Sequence, residues 1–357
     1  MKWHQASERL IECGPLVSST CVSVPLVGNG NTFVFKVGTQ FSTGNFSCKC
    51  SDRGNICFQV HPVPLRTISV LSLFDGIGSA YQILQNSLGL KIGTYFSCEI
   101  DSDAIQVLKH TYHGRIVLLG CVKKLNAPLL HALGRVDLLL GGSPCNNLSR
   151  VNPRRLGLHE PGSSGGLFFE YVRIRDILSD LAMRRGDPFF WFYEQTAHLD
   201  AGVCDTMSRC LGSEPVRCCS SSVVPMRRIR NFWSNVPRLS ETAGELAGGR
   251  ATRLQDFLMP FRQANVRCLP TLTTNSSSEQ GRGRELPVLE DGSQCSLSVT
   301  ECEQLFGFPP HYTDCANLSV SRRRRLLGRA WCIPLVSKLL HPIAEMFEKD
   351  LPCHNFL

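Results

Sequence analysis

Residues 67–99 hold the pattern that most constrains what this chain can fold into. The run TISVLSLF has the length and apolar content of a buried strand, DGIGSA is a glycine-bearing turn, residues 81–86 suit a helix, and TYFSCE is a second strand. Strand, turn, helix, strand is a βαβ unit. Further apolar strands are predicted at 116–119, 136–140 and 189–193, separated by helical stretches at 103–110 and 167–183. The expectation is an α/β fold with a doubly wound, mostly parallel sheet, and in such sheets chemistry collects at the carboxyl ends of the strands.

Two strand ends carry chemistry-bearing residues. The run VDLLL leads into GGSPCNNLSRVNP, which places Cys145 just after a proline on a turn leaving the sheet. In FDGIGSA, Gly76 and Gly78 stand where a backbone approaches a ligand ahead of a helix amino terminus, and Glu99 ends the next strand, where an acid accepts hydrogen bonds from ribose hydroxyls. The G-x-G-x-x-G spacing expected around a pyrophosphate is missing, so a nucleoside without phosphates fits better than a dinucleotide; S-adenosylmethionine is such a cofactor.

Lys and Arg number 38 against 30 Asp and Glu, and the formal net charge of +8 is compatible with a polyanionic partner. No apolar run reaches the length of a membrane span, and the amino end lacks a signal-peptide core, so an intracellular, membrane-free protein with reduced thiols is expected despite its 18 cysteines. Residues 1–65 read as a separate amino-terminal extension of short β-prone pieces. Within it Cys48, Cys50 and Cys57 lack the usual zinc spacing and an evident fourth ligand, and no metal is expected. Residues 66–357 form the main domain. The periodicity fades beyond Trp233, and an inserted lobe is expected over about 234–298 before compact elements resume at VTECEQLFGF.

The residues also carry a family signature. SPCN at 143–146, the buried run ending in Glu194, the triplet Arg228 to Arg230 followed by NFW, and GRAW at 328–331 occur in an order that resembles the DNA cytosine-5 methyltransferases. VLSLFDGI, GGSPCNNLSRVNP, LFFEY, FGFPPHYTD and RRLLGRAW more narrowly resemble the de novo class of eukaryotic enzymes, over about residues 66–349. The resemblance implies a Rossmann-like methyltransferase sheet with a small target-recognition lobe, and transfer of a methyl group from S-adenosylmethionine to carbon 5 of cytosine in duplex DNA through a covalent cysteine adduct with a flipped base.

The same resemblance implies the roles. Cys145 is the nucleophile, Glu194 contacts ring N3 and the exocyclic amine, and Arg228 and Arg230 hold the carbonyl O2. The cofactor is held by Phe74, Asp75, Gly76, Ile77, Ser79, Glu99, Ile100, Cys121, Val122, Leu167, Arg329 and Trp331. DNA is met by Asn147, Ser149, Arg150, Val151, Thr273, Asn275, Arg282 and Arg284, with Val151 filling the gap of the flipped base and Arg154 and Arg155 joining Arg150 on phosphates. The implied location is the nucleus, and related methyltransferase subunits are implied partners in homo- or hetero-oligomers. The arginine run at 322–325 is ambiguous among a phosphate contact, a contact to a neighbouring subunit and a solvated face, with the third slightly favoured, and it is a weak nuclear-import signal.

Four positions depart from the family pattern. Cys121 stands where the family usually has an Asp bonded to the adenine amine. Gln195 and Thr196 replace Asn-Val after the catalytic Glu, a longer amide expected to disturb the loop holding Cys145. Asn275 stands about where an Arg reads the CpG guanine, and the stretch EPGSSGG lengthens the clamp loop without a basic residue. An alternative function stays open: a catalytically weak or silent regulatory paralogue that binds DNA or an active methyltransferase.

Overall fold

The computed structural model describes residues 65–249, 252–274, 276–280 and 285–350, together with the backbone of five strands before them. The chain divides into two units, residues 1–66 and 67–357. In the first, β2 (Val22–Pro25), β5 (Asn55–Pro62) and β4 (Gly44–Cys50) form an antiparallel sheet in that order, and β1 (Glu12–Cys13) pairs with β3 (Lys36–Val37). The side chains of Cys48, Cys50 and Cys57 lie outside the described residues, so the metal reading there is not addressed.

The second unit is built on a seven-stranded sheet. Its strands are β6 (Ile68–Leu73), β7 (Ile92–Cys98), β8 (Val117–Leu118), β9 (Leu138–Gly141), β10 (Phe190–Thr196), β11 (Val216–Cys219) and β12 (Ile229–Ser234), in the spatial order β11-β12-β10-β9-β6-β7-β8. Every pairing from β10 across to β8 is parallel, whereas β12 runs antiparallel to both β10 and β11. The chain leaves β6 toward one edge and returns to β9 on the other side, so the crevice between the carboxyl ends of β6 and β9 is the topological switch point.

Both sheet faces are buried, which explains the near-continuous apolar runs of the central strands. Side chains alternate between two cores: Ile68, Val70, Leu138, Leu140, Phe192 and Phe232 face one, Leu71, Leu73, Leu139, Tyr193 and Trp233 the other. The second core is closed by α3 (Ala127–Ala132), α4 (Leu167–Arg185) and α5 (Ala201–Leu211).

The first core is closed by α2 (Ser102–Tyr112), α7 (Val299–Phe306), α8 (Val320–Arg329) and α9 (Ile333–Leu340). It also takes in Leu254, Leu269, Leu272, Val288 and Leu297, from the segment holding α6 (Leu239–Ala247) and the small sheet of β13 (Arg262–Ala264), β14 (Val288–Glu290) and β15 (Ser293–Cys295).

The expected helix after the first turn is a short α1 (Ser79–Tyr81) that passes into a π-helix at Gln82–Ser87. Apolar periodicity does not separate the two over so few residues. The expected strands differ from those found by one to three residues at their ends, while β11, β12 and α5 were not anticipated.

Candidate active site

Cys145 lies on the turn that follows β9, and the turn is pinned from β10. Gln195 Nε2 donates to the Ser143 carbonyl at 3.0 Å, and the Ser143 and Tyr193 hydroxyls lie 2.7 Å apart. The Gln195 side chain is held in turn by the Thr196 N–H on its Oε1 at 2.9 Å. The longer amide therefore anchors the nucleophile loop, which corrects the expectation that it disturbs it; the buried Ser143 and Tyr193 hydroxyls give it a fitting partner set.

Glu194 projects from the opposite face of β10, and Gly142 allows its approach. A Cβ on Gly142 would lie 2.9 Å from Glu194 Oε2 and 3.0 Å from the Glu194 carbonyl. Arg230 sits diagonally across from Glu194 on β12 and bonds it through Nε at 2.7 Å, the two side chains each 14% exposed. Burial pushes the Cys145 thiol up from its ordinary pKa, the Glu194 charge adds to this, and Arg230 and Arg228 pull it down.

The two arginines of the triplet do different things. Arg228 is buried, its Nη1 donating to the Leu272 and Gly328 carbonyls at 3.1 and 3.2 Å and its Nη2 to Gly328 and Ala330 at 3.3 and 3.0 Å. Its guanidinium also lies over the Phe306 ring at 5.4 Å. Those terminal N–H groups tie the start of β12 to the segments around Leu272 and Gly328–Ala330, and Arg228 also lines the pocket it shares with Glu194 and Arg230. Arg230 uses Nε on Glu194 and Nη1 on the Ile229 carbonyl, while its Nη2 makes no hydrogen bond among the described residues.

At the switch point the turn after β6 takes left-handed backbone at Phe74, Gly76 and Gly78. Gly78 is required by packing as well, since a Cβ there would lie 2.8 Å from the Tyr112 ring, whereas a Cβ on Gly76 would meet nothing within 4 Å. Glu99 follows β7 directly. Its carboxylate accepts from the N–H groups of Gly76, Ile100 and Asp101 at 2.8, 2.7 and 2.8 Å, which fixes the carboxylate against the turn. A carboxylate offers about four acceptor positions, so capacity for about one more donor remains.

Asp75 is buried; its Oδ1 accepts from Ser72 Oγ at 2.7 Å and from the Tyr95 hydroxyl at 2.9 Å, and its Oδ2 is buried without a partner among the described residues. Burial pushes the Asp75 carboxyl up to about 6 against those bonds.

The other expected cofactor residues surround this crevice or reach it indirectly. Ile77 and Ser79 are buried in the turn and α1, Ile100 is 72% exposed beside Glu99, and Leu167 opens α4. Cys121 is the N-cap of a 3-10 turn at Val122–Lys124 but makes no capping bond, and Val122 is buried. Arg329 pairs with Asp101 at 2.9 Å, so its charge is committed two residues beyond Glu99. Trp331 donates its backbone N–H to Ser79 Oγ at 3.3 Å, and its ring meets Phe192 edge-on. It shares a narrow pocket with Glu194, Arg230 and Phe232.

Of the expected DNA-binding residues, Val151 is 73% exposed and Arg150 is exposed, on a loop tied back by the Arg150 N–H to the His198 carbonyl at 2.8 Å. Ser149 donates its N–H to the Cys145 carbonyl at 2.8 Å, and Asn147 reaches Ser164 Oγ at 3.3 Å. Thr273 packs against Gly328, where a Cβ would lie 2.5 Å from its carbonyl carbon. Asn275, Arg282 and Arg284 lie outside the described residues. Arg154 is exposed, but Arg155 is bonded by two nitrogens to Asp200 at 3.1 and 3.2 Å, which corrects its expected place on a phosphate.

The run at 322–325 is also corrected. Successive residues on a helix point about 100° apart, so α8 sends Arg322 and Arg325 to Asp103, Arg323 to Glu303 and Asp314, and Arg324 to Glu279. The run is paired with acids of the same chain, with Arg323 buried and Arg322 exposed.

Residues 68–179, from β6 through the nucleophile turn into α4, match the family model of the C-5 cytosine-specific DNA methylases. The match spans under a third of the chain. The chain is similar to the DNA (cytosine-5)-methyltransferase DRM2 of Arabidopsis thaliana, 34% identical over 127 residues, and to DRM1A of Oryza sativa subsp. japonica, 36% identical over 118 residues. These matches cover 33% and 30% of this chain but only 20% and 24% of the relatives.

Among solved structures it resembles the S. pombe Dnmt2 methyltransferase, with TM-score 0.55, 15% identity, and coverage of 78% of this chain and 98% of that one. It also resembles the Entamoeba histolytica methyltransferase EhMeth, with TM-score 0.54, 11% identity, and coverage of 79% and 100%. Both confirm the Rossmann-like methyltransferase sheet. Sequence reasoning missed Ser143 and Tyr193 as partners of Gln195; only the placement of SPC and FYEQ on adjacent strand ends could have signalled them.

Proposed function

We propose that this chain transfers a methyl group from S-adenosylmethionine to carbon 5 of cytosine in double-stranded DNA, in the nucleus. The observation that carries the reading is the meeting of Cys145, Glu194 and Arg230 at neighbouring strand ends, beside a crevice with a buried carboxylate oxygen that has no partner among the described residues. The crevice residues fit this cofactor: Asp75 Oδ2 suits an ammonium group, the open side of Gly76 admits close backbone approach, Glu99 suits ribose hydroxyls, and exposed Ile100 suits an adenine face. When bound, the cofactor supplies an electrophilic methyl group on a sulfonium centre.

In the proposed reaction Cys145 Sγ adds to carbon 6 of a flipped cytosine as the thiol proton passes to solvent, and the electron pair of the ring double bond moves to carbon 5, the atom that would receive the cofactor's methyl group as the sulfonium becomes a neutral thioether. Loss of the carbon 5 proton to solvent then restores the double bond and expels the thiolate. Glu194 faces N3 and the exocyclic amine and relays a proton from solvent to N3 as the sulfur adds, while Arg230 Nη2 donates to O2, so negative charge does not build up on the ring. Cys145 keeps its proton in the resting protein because its burial outweighs the two arginines. Val151 is exposed at the loop tip to occupy the space left by the base.

The direct test is tritiated methyl incorporation by the full chain into duplex DNA, with base analysis. Label in 5-methylcytosine supports the reading; cofactor binding without label in DNA contradicts it. With the same assay, Gln195→Leu should lower single-turnover methyl transfer by about 10- to 100-fold, because misplacing a reacting atom by about 1 Å has that effect. Calorimetric affinity for S-adenosylmethionine should stay unchanged, and equal activity would show that the Ser143 anchor is dispensable.

Asp75 makes cofactor binding depend on pH. Its folded pKa of about 6 is raised above the ordinary 3.8, so its contribution to stability is fully present below 3.8 and is lost as pH rises through 6. At pH 7 the ionised carboxylate costs on the order of 3 kcal/mol of stability. Its charge is what an ammonium group needs, so calorimetric affinity for S-adenosylmethionine should fall roughly tenfold between pH 7 and pH 5. Asp75→Asn should raise the melting temperature of the ligand-free protein at pH 7 while weakening cofactor binding and flattening that pH profile; an unchanged profile would remove Asp75 from the site.

A further inference from the structure

The proposed chemistry makes no use of a chain of hydrogen bonds, buried from Gln82 onward, behind the turn after β6. Asn86 Nδ2 donates to Gln82 Oε1, Gln82 Nε2 donates to the Tyr112 hydroxyl at 3.2 Å, and the Tyr112 and Tyr312 hydroxyls lie 2.8 Å apart. The Tyr312 hydroxyl donates to the Ile77 carbonyl at 2.6 Å, and the Tyr112 hydroxyl also lies 3.2 Å from the Gly78 carbonyl. Each phenol has a single proton. The shortest contacts are all satisfied when Tyr312 donates to Ile77, Tyr112 donates to Tyr312, and Gln82 donates to Tyr112. The chain then has one direction and ends on a carbonyl inside the turn.

Its parts come from three places. Gln82 lies on the π-helix, Tyr112 ends α2, and Tyr312 lies between α7 and α8, where its ring stacks on Phe308 at 4.5 Å between centroids. Both tyrosines are buried, and the Tyr112 ring occupies the space that Gly78 leaves by lacking a Cβ. Thr313, next in the chain, donates its N–H to Glu303 at 2.8 Å, and Glu303 pairs with Arg323, so Tyr312 is held by an anchor of its own. The turn itself carries left-handed backbone at Phe74, which a residue with a side chain adopts only under constraint.

We propose that Tyr312 and Tyr112 are positioning residues for the cofactor turn: Tyr312, oriented by Tyr112, holds the Ile77 carbonyl away from the crevice so that Asp75 and the open side of Gly76 face the ligand. This rests on the S-adenosylmethionine reading above. Because the chain is directional, Tyr312 acts directly on Ile77 and Tyr112 acts through Tyr312. Tyr312→Phe removes the terminal donor. Tyr112→Phe removes a donor to Tyr312 and leaves the bond to Ile77 in place.

The test is steady-state methyl transfer with calorimetric cofactor binding on the full chain as wild type, Tyr112→Phe, Tyr312→Phe and the double variant. Tyr312→Phe should raise KM and Kd for S-adenosylmethionine about five- to twentyfold, as expected for one lost hydrogen bond with a buried carbonyl left unpaired, with kcat and KM for DNA nearly unchanged. Tyr112→Phe should have a smaller effect, and the double variant should match Tyr312→Phe alone. A merely structural role would reduce the folded fraction, lowering kcat at constant KM, and that outcome overturns the proposal, as do additive effects in the double variant. A wild type that binds no S-adenosylmethionine would instead fail the cofactor reading, and the positioning role with it.

Discussion

Cys145→Ser should lower methyl transfer to duplex DNA by roughly 10,000-fold or more, the scale of loss seen when a covalent nucleophile is removed. A serine hydroxyl fits the same turn but is a far weaker nucleophile toward carbon 6 than a thiolate. The turn is held by Gln195 and Tyr193 through Ser143, none of which the substitution touches. Affinity for S-adenosylmethionine should therefore stay within about twofold, since no contact of the cofactor crevice is altered. Tritiated methyl incorporation and calorimetry on the same preparation check both halves. Residual activity within tenfold of wild type would exclude Cys145 as the nucleophile.

Arg228→Met carries the largest expected effect on stability, about 3–5 kcal/mol. The substitution strips donors from the buried carbonyls of Leu272, Gly328 and Ala330, which lie 44, 100 and 102 residues away in sequence. Each unpaired buried carbonyl costs about 1–3 kcal/mol. Arg230→Met differs in kind: the Arg230–Glu194 pair is partly exposed, so the fold should hold while methyl transfer falls. Urea unfolding of both variants separates the roles. Stability retained in Arg228→Met together with loss of activity would give Arg228 a base-binding role instead.

This contrast marks where sequence reasoning stopped. Arg228 and Arg230 stand two residues apart in one triplet, and nothing local distinguishes them; the carbonyls that occupy Arg228 come from distant segments. By contrast β6, β7 and β9 were legible because strands buried on both faces are near-continuous apolar runs, and Cys145 and Glu99 were legible because they stand where such runs end.

β12 was not read, since IRNFWS mixes charge with aromatic residues, its Arg230 serving the site while Phe232 and Trp233 serve the two cores. The arginine run misled for a related reason. A string of like charges looks solvated until the helix distributes it among Asp103, Glu303, Asp314 and Glu279, acids spread over more than 200 residues of sequence. The Tyr112–Tyr312 contact likewise spans 200 residues and involves no motif that periodicity could reveal.

The central claim is that Cys145 attacks carbon 6 of cytosine, and the most direct measurement is covalent trapping on duplex DNA containing 5-fluorocytosine. Fluorine at carbon 5 cannot leave as a proton does, so the adduct formed after methyl transfer has no route to expel the thiolate. With S-adenosylmethionine present, the wild-type chain should give a protein–DNA species that survives denaturation, and Cys145→Ser should give none. The chain has 18 cysteines, so peptide mass mapping of the trapped species is part of the measurement. Attachment at Cys145 is the result this account predicts. Attachment at another cysteine, or no adduct from a wild-type chain that binds both DNA and S-adenosylmethionine, would contradict it.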